Sequence, residues 1–330
     1  MTCSRPASRL PLVALLTLLA ASDALAVRRT EDPLALVPSG AATIGVIHWN
    51  ELRSSPLGAR VFADMDAISS DGDAARFLRE TGLSPRDDVD TVVIAMSPGS
   101  SPGSDDGLVV FEGRFDVDRI AGALASRGAT RRAGAGGGYF RLASHGSASE
   151  GAVALVNRHL VIAGSESAVI AALARRENGG SGGLTSGEGL GRQLSRIDPD
   201  ASAWALIDLT RFPPSHRGES EGSGSGEPAR ALFGAMKSVS LVALQASVHG
   251  DAVDLSATGL TADAGNRDLL EDSLRGILAM WRLAVSEKSP ELVSVLRRFR
   301  IENDGEGVSI SGTLPGSFLR SLSDKRAEKR

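Results

Sequence analysis

The sequence predicts an α+β protein of two topologically similar halves, each a mostly antiparallel sheet with helices packed on one face. Three observations lead to this fold class. Apolar runs joined by tight turns, as in residues 152–163, are typical of β-hairpins. Segments with apolar residues at helical spacing follow the hairpins, as at 166–176. The order strand, loop, strand, helix at 88–127 recurs at 238–285, which suggests an internal duplication.

The first half covers residues 41–178 and follows a polar lead at 27–40. Its opening run, 42–49, is rich in β-branched residues, which favours a buried strand. Asp116 and Ser165 each precede a helical pattern and are expected to cap it. The predicted strands are 42–49, 88–96, 107–115, 139–142, 152–156 and 159–163, and the predicted helices are 56–65, 74–81, 117–127 and 166–176.

The second half covers residues 201–323 and follows a Gly/Ser-rich connection with a short helix at 179–200. A flexible insert at 213–227 has the Gly/Ser-rich composition of a linker, and a charged tail occupies 324–330. Alternating and helical periodicities again separate strands from helices. The predicted strands are 203–209, 238–248, 252–260, 299–303 and 308–314, and the predicted helices are 228–236, 266–285, 289–298 and 317–322.

Residues 1–26 have the three parts of a cleavable signal peptide. A basic start precedes an apolar run at 10–21, and an A-x-A triplet follows it. A membrane anchor is the alternative, but a spanning helix needs roughly 20 apolar residues and this run is shorter. Ala24 and Ala26 are the two alanines of that triplet, so a single cleavage is expected between Ala26 and Val27, with Val27 as the new N-terminus. The protein is therefore expected to be periplasmic or secreted.

The composition narrows the chemistry of the mature chain. Cys3 is the single cysteine, and it precedes the apolar run of the signal, so it leaves with that segment. This excludes thiol catalysis and cysteine-ligated zinc from the mature protein. The formal net charge of −4 belongs to a mildly acidic chain, which argues against nucleic acid as a partner. No second apolar run is long enough to span a bilayer, and no cofactor is predicted.

Three glycine-rich patterns resemble functional motifs. The run at 134–138 lacks the following helix that a phosphate-binding loop requires, so a hairpin connection is favoured. The pattern G-x-S-x-G occurs at 99–103 and 218–222. A hydrolase needs it on a strand-to-helix elbow, whereas these two lie in a predicted hairpin loop and in the flexible insert. None of the three is predicted to be a site.

The titratable residues form no recognisable site either. The five histidines are scattered singly along the chain, without the spacing of metal ligands. His48 lies near the end of the predicted strand 42–49, and a satisfied strand-end histidine is favoured over a pocket residue. Acidic clusters such as 87–90 and 303–306 lack the spacing of a calcium loop. The histidines in question are His48, His145, His159, His216 and His249. The sequence therefore predicts no catalytic, cofactor-binding or metal-binding residues.

Two basic groups end predicted elements. Arg297 and Arg298 end the predicted helix at 289–298 and Arg300 lies just beyond it, whereas Arg131 and Arg132 precede a predicted strand. Cations at a helix C-terminus complement the helix dipole, and this is the interpretation given to the first group.

Three stretches carry a family resemblance: 42–60 (ATIGVIHWNELRSSPLGAR), 77–95, and 113–116 taken with 159–173 (HLVIAGSESAVIAAL). Together they resemble a loose group of exported bacterial proteins that have no assigned activity. The resemblance covers roughly residues 35–176. It implies export and an α+β fold, and it transfers no active site.

These observations predict a non-catalytic binding or interaction module of the cell envelope, with an envelope protein or a small ligand as its partner. Two alternatives stay open. One is a hydrolase that uses dispersed Asp, His and Ser residues, which requires those groups to converge in one pocket. The other is a structural envelope component, for which an exposed apolar patch is the expected sign.

Overall fold

The computed structural model describes residues 32–53, 55, 58, 62, 72–97, 106–134, 136–142, 150–212, 238–286 and 290–320. Several predictions fall outside these ranges and are not tested by them. They are the signal peptide with its single cleavage between Ala26 and Val27, most of the helix at 56–65, the insert at 213–227, the helix at 228–236 and the tail at 324–330.

The described part of the chain is organised around one antiparallel sheet. Its strands are β1 (Thr43–His48), β2 (Val89–Ser97), β3 (Asp106–Gly113), β4 (Thr130–Gly134), β5 (Gly137–Arg141), β6 (Gly151–Asn157), β7 (Leu160–Ser165), β8 (Ala203–Asp208), β9 (Val239–His249), β10 (Ala252–Thr261), β11 (Arg300–Asn303) and β12 (Gly307–Leu314). They lie side by side in the order β11-β12-β10-β9-β8-β1-β2-β3-β7-β6-β5-β4.

The helices of the described residues are mostly short. They are α1 (Pro33–Leu36), α2 (Trp49–Arg53), α3 (Asp73–Thr81), α4 (Pro85–Asp88), α5 (Val117–Ser126), α6 (Glu166–Glu177), α7 (Ala264–Ser286) and α8 (Pro290–Leu296), with 3-10 turns at Leu184–Ser186, Gly189–Arg196 and Leu209–Arg211. The two expected caps are present: Asp116 accepts from the backbone of Arg119, and Ser165 accepts from that of Ala168. None of the described helices is both long and apolar enough to cross a membrane.

The α+β class and the antiparallel pairing agree with the sequence prediction, but the expected two sheets are one. The first strands of the two halves, β1 and β8, pair with each other, with Val46 opposite Trp204. Pairing satisfies the backbone groups that each strand would otherwise present at a sheet edge. The described residues from Pro33 onward accordingly belong to one compact unit.

Helices cover both faces of this sheet, whereas one face was predicted. We call the side that carries Ile44 and Val110 the first face and the opposite side the second face. On the first face, α1, α6 and the turns at 184–196 enclose the main core, with Leu173 and Ile162 fully buried. On the second face, α3 and α5 pack near Val161. Successive residues of the central strands are apolar, so both sides of the sheet require cover.

The second half places its helices on the second face. Leu270 of α7 packs against Val239 of β9 and Val308 of β12 in a small apolar cluster. The bounds of α7 extend a residue or two beyond the predicted 266–285. At the other end of the sheet, β4 is a strand that the sequence pattern did not predict.

Candidate functional site

The titratable candidates from the sequence do not converge. His48 ends β1 opposite Thr91 and is half-buried. The Nδ1 of His159 lies 3.0 Å from the carbonyl oxygen of Gly113, and His249 lies 3.6 Å from Asp254. His145 and His216 fall outside the described residues. Within the described ranges, no three His, Cys, Asp or Glu side chains come close enough together to hold a metal ion.

In the glycine-rich run, Gly134 ends β4 and pairs with Gly137, which begins β5, so its described residues belong to a hairpin, as expected. Gly136 has a φ of 74°. A Cβ placed there would lie 2.1 Å from the carbonyl oxygen of Leu173 in α6. Glycine is thus required by a close backbone approach to the neighbouring helix. The two G-x-S-x-G patterns, at 99–103 and 218–222, lie outside the described residues.

An open groove of about 750 Å³ lies over the first face of β9, β10 and β12. Two rows of polar side chains form its floor, because directly paired residues of antiparallel strands point to the same face. One row crosses β9, β10, β12 and β11 and consists of Gln245, Ser256, Ser311 and Arg300 in that order. The row beside it consists of Ser247, Asp254 and Thr313.

Hydrogen bonds hold part of this floor in place. The backbone N–H of Asp198 donates to Oε1 of Gln245 at 2.6 Å, which fixes the 3-10 turn region above β9. The Oγ1 of Thr313 donates to Oδ1 of Asp254 at 2.5 Å. The floor is therefore partly preorganised, with an amide and a carboxylate oriented before any ligand arrives.

Three arginines form one end of the groove. Arg297 and Arg298 follow α8 and Arg300 begins β11, and all three are exposed. Among the described residues, none of the three forms a salt bridge, whereas Arg196 pairs with Glu306 at 2.6 Å nearby. The placement at a helix end agrees with the dipole interpretation. The side chains also line the groove, a role that the sequence pattern did not predict.

Two carboxylates lie toward the other end of the same groove. Asp198 lies beside β9, and Asp254 lies on β10. The groove therefore has a basic end and an acidic end, with hydroxyl and amide groups between them.

A second feature lies on the second face, over the middle of the sheet. One row of directly paired residues crosses β2, β1, β8 and β9, and it consists of Ile94, Gly45, Ala205 and Leu244 in that order. Ile94 is 41% exposed, Leu244 is 37% exposed, and Met96, two residues beyond Ile94, is 43% exposed. We call these five residues the central apolar strip. It runs between the helices packed over the first half and α7, and the described helices leave its three large side chains open to solvent.

Helix α7 also exposes large apolar side chains. Leu269, Met280 and Trp281 are exposed, and Leu283 is 75% exposed. Leu270 and Leu278 on its other side are buried. The second face of the molecule thus carries exposed apolar surface both on the sheet and on the helix beside it.

Among the described residues, three pKa values depart from their ordinary range, and none of these groups lines the groove or the central apolar strip. The hydrogen bond to Glu166 raises the pKa of Tyr139. Burial lowers the pKa of Arg175, whose Nε donates to the carbonyl oxygen of Leu36. Backbone N–H groups of Gly307 and Glu306 lower the pKa of Asp304 in the turn between β11 and β12. These groups stabilise local structure.

Comparisons with known proteins show similarity of fold. No family model matches the chain, and no curated protein sequence matches it. Crystal form III of TP0453 superposes with a TM-score of 0.51 at 11% identity, covering 90% of this chain and 100% of that one. Crystal forms I and IV of TP0453 give TM-scores of 0.45 at 11% and 12% identity, covering 90% and 88% of this chain and 98% and 96% of theirs.

Proposed function

We propose that the protein is a non-catalytic binding module of the cell envelope and that it receives a helix of a partner protein on the central apolar strip. The observation that carries this proposal is the exposure of Ile94, Met96 and Leu244 on the middle of a sheet face. Exposed apolar surface marks a site of interaction, which is also the sign expected of a structural envelope component; the helix-sized width of the strip favours a binding module. The exposed apolar side chains of α7 lie on the same side of the sheet.

The dimensions of the strip support a helical partner. Three strand spacings separate β2 from β9, which is about 14 Å. An α-helix with its side chains is about 10 to 12 Å across. The two strands between them contribute Gly45 and Ala205, whose small side chains leave room for the ridge of a helix. Ile94 and Leu244 then flank that ridge on either side.

The envelope location rests on the signal peptide expected at residues 1–26. N-terminal sequencing of protein recovered from cells is expected to begin at Val27, in the envelope or external fraction. Recovery of protein from the cytosol that begins at Met1 would remove the basis for an envelope partner.

Photo-crosslinking tests the strip itself. A photoreactive phenylalanine derivative at position 244 is expected to form an adduct with a second polypeptide in intact cells, mapped by mass spectrometry to the apolar side of a helix. The same derivative at Ile170, which is also 37% exposed but belongs to α6 over the first face, is the matched control. Adducts formed only within the chain would show that the strip is covered internally and would contradict the proposal.

We also infer that the two halves arose by duplication. The strand order supports this inference. From the β1–β8 junction outward, the sheet runs β1-β2-β3-β7-β6 on one side and β8-β9-β10-β12-β11 on the other. On each side the third strand is followed by a helix, and the last strand of the next hairpin returns beside it. The hairpin of β4 and β5 is an addition to the first half.

A further inference from the structure

We propose that the groove over β9, β10 and β12 binds a phosphorylated, hydroxyl-rich ligand, with the phosphate between Arg297, Arg298 and Arg300. This site lies on the first face, opposite the central apolar strip, and does not depend on the proposed function.

The basic end selects the anion. Three guanidinium groups line one end of the groove, and none of them forms a salt bridge with another described residue. Guanidinium groups bind phosphate oxygens through paired, charge-assisted hydrogen bonds. Unneutralised cations around a concave surface also raise the local concentration of anions. A phosphate provides enough oxygen acceptors for three such groups, whereas a single carboxylate provides two.

The floor selects the remainder of the ligand. Ser247, Ser256 and Ser311 place hydroxyl groups along the first face, each able to donate and to accept. Leu255 is the one apolar residue among those that line the groove, and its side chain alternates to the opposite face from Asp254 and Ser256. The ligand beyond its phosphate is therefore polar, and hydroxyl groups match this surface better than an acyl chain does.

The acidic end limits the number of phosphates. Asp254 lies two strands across and two residues along from Arg300, which is about 12 Å. Asp198 lies farther still, beside β9. These carboxylates accept hydrogen bonds from ligand hydroxyls, and they repel a second phosphate. A compound phosphorylated at one end thus fits the groove, and an extended polyanion such as a nucleic acid does not.

Two sources share this chemistry: a soluble sugar phosphate and the headgroup of a glycerol-based phospholipid. Calorimetric titration with glucose 6-phosphate, glucose and inorganic phosphate, together with sedimentation of phosphatidylglycerol vesicles, separates them. Saturable binding of glucose 6-phosphate, at least about tenfold tighter than that of glucose or of inorganic phosphate, is expected for a soluble ligand. Binding confined to the vesicles assigns the phosphate to a lipid headgroup.

Variants connect binding to the groove. R297A/R298A is expected to weaken binding of the preferred probe by at least about tenfold, since each hydrogen bond to a charged group contributes substantially. R131A/R132A removes two exposed arginines from β4 at the opposite edge of the sheet and is the matched control. If the ligand is soluble, Ser311→Ala is expected to weaken glucose 6-phosphate binding roughly two- to fivefold, because the variant loses one neutral hydrogen bond to the ligand. The same variant is expected to bind inorganic phosphate as the parent does.

The outcomes that overturn the proposal are equally defined. One is the absence of saturable binding of the protein to both glucose 6-phosphate and phosphatidylglycerol vesicles. The other is an equal loss of affinity for the preferred probe in R297A/R298A and in R131A/R132A. Equal affinity for inorganic phosphate and glucose 6-phosphate would overturn the assignment of the hydroxyl-rich part. Unchanged melting temperatures in the variants exclude unfolding as the cause of a loss.

Discussion

The outer strands at the two ends of the sheet differ in what their first face carries. In the first half, Val110 of β3, Ile162 of β7 and Ala154 of β6 are fully buried beneath α6. At the other end, Ser256 of β10 and Ser311 of β12 occupy the first face and line an open groove. All five of these strands are antiparallel to their neighbours and are paired on both sides.

The difference follows from what covers each end. Helix α6 begins directly after β7 and packs back over β3, β6 and β7, with Val169 and Leu173 buried. After β12, the described chain contains only a short helical stretch at 316–320. An apolar sheet face without cover costs free energy in water, so the uncovered end carries hydroxyl, amide and charged groups instead. The presence or absence of a helix packed over a sheet face therefore decides whether that face becomes part of the core or an open polar surface.

The sharpest test of this comparison is to truncate one side chain at each end. Leu173→Ala removes a fully buried side chain of α6 and is expected to lower the free energy of unfolding by about 3 kcal/mol. Ser311→Ala at the open end is expected to change it by less than about 0.5 kcal/mol. Urea denaturation of both variants measures the two values. Similar losses in the two variants would mean that the open end is also packed.

The glycine turns at the two ends give a smaller contrast. Gly136 in the β4–β5 turn and Gly305 in the β11–β12 turn both have positive φ, at 74° and 84°. A Cβ at Gly136 also meets the carbonyl oxygen of Leu173, whereas a Cβ at Gly305 meets nothing within 4 Å. Gly305→Ala is expected to cost about 1 kcal/mol for the left-handed backbone alone.

Gly136→Ala is expected to cost roughly 2 to 3 kcal/mol, because the hairpin must also move away from α6. Thermal or urea unfolding of the two alanine variants compares them directly. Equal costs would show that the β4–β5 hairpin is not held against α6 in solution.

Local features of this fold were predictable from the sequence. The hairpin of β11 and β12 and the long helix α7 follow from short-range periodicity and turn residues, and both appear close to their predicted bounds. The caps at Asp116 and Ser165 follow from the same short-range rules. Such features depend on neighbours within a few residues along the chain.

Long-range features were not predictable in the same way. The pairing of β1 with β8 joins two halves through residues far apart in sequence, and no local pattern records it. Strand β4 has the sequence TRRAG and is exposed throughout, so it lacks the alternation that marks a strand. The groove does leave a signal, because Ser309, Ser311 and Thr313 alternate along β12. This alternation indicates a groove only once it is known that no described helix packs over this face of β12.

The smallest expected effect concerns the turn at the open end. Hydrogen bonds from the backbone N–H groups of Gly307 and Glu306 lower the pKa of Asp304 below its ordinary value. A carboxyl with a lowered folded-state pKa contributes stability above its unfolded pKa and loses it as the pH falls through the folded value. Asp304→Asn is therefore expected to be less stable than the parent at neutral pH, by under about 1 kcal/mol because the group is exposed.

This difference is expected to shrink as the pH falls below the ordinary aspartate range, since the parent carboxyl then becomes protonated and approaches the neutral amide in charge. Urea unfolding of both proteins from neutral to acidic pH measures the trend. Asp200, an exposed aspartate outside this turn, supplies the control, because Asp200→Asn does not remove these two hydrogen bonds. A difference that is constant with pH would show that the turn depends on the shape of Asp304 and not on its charge.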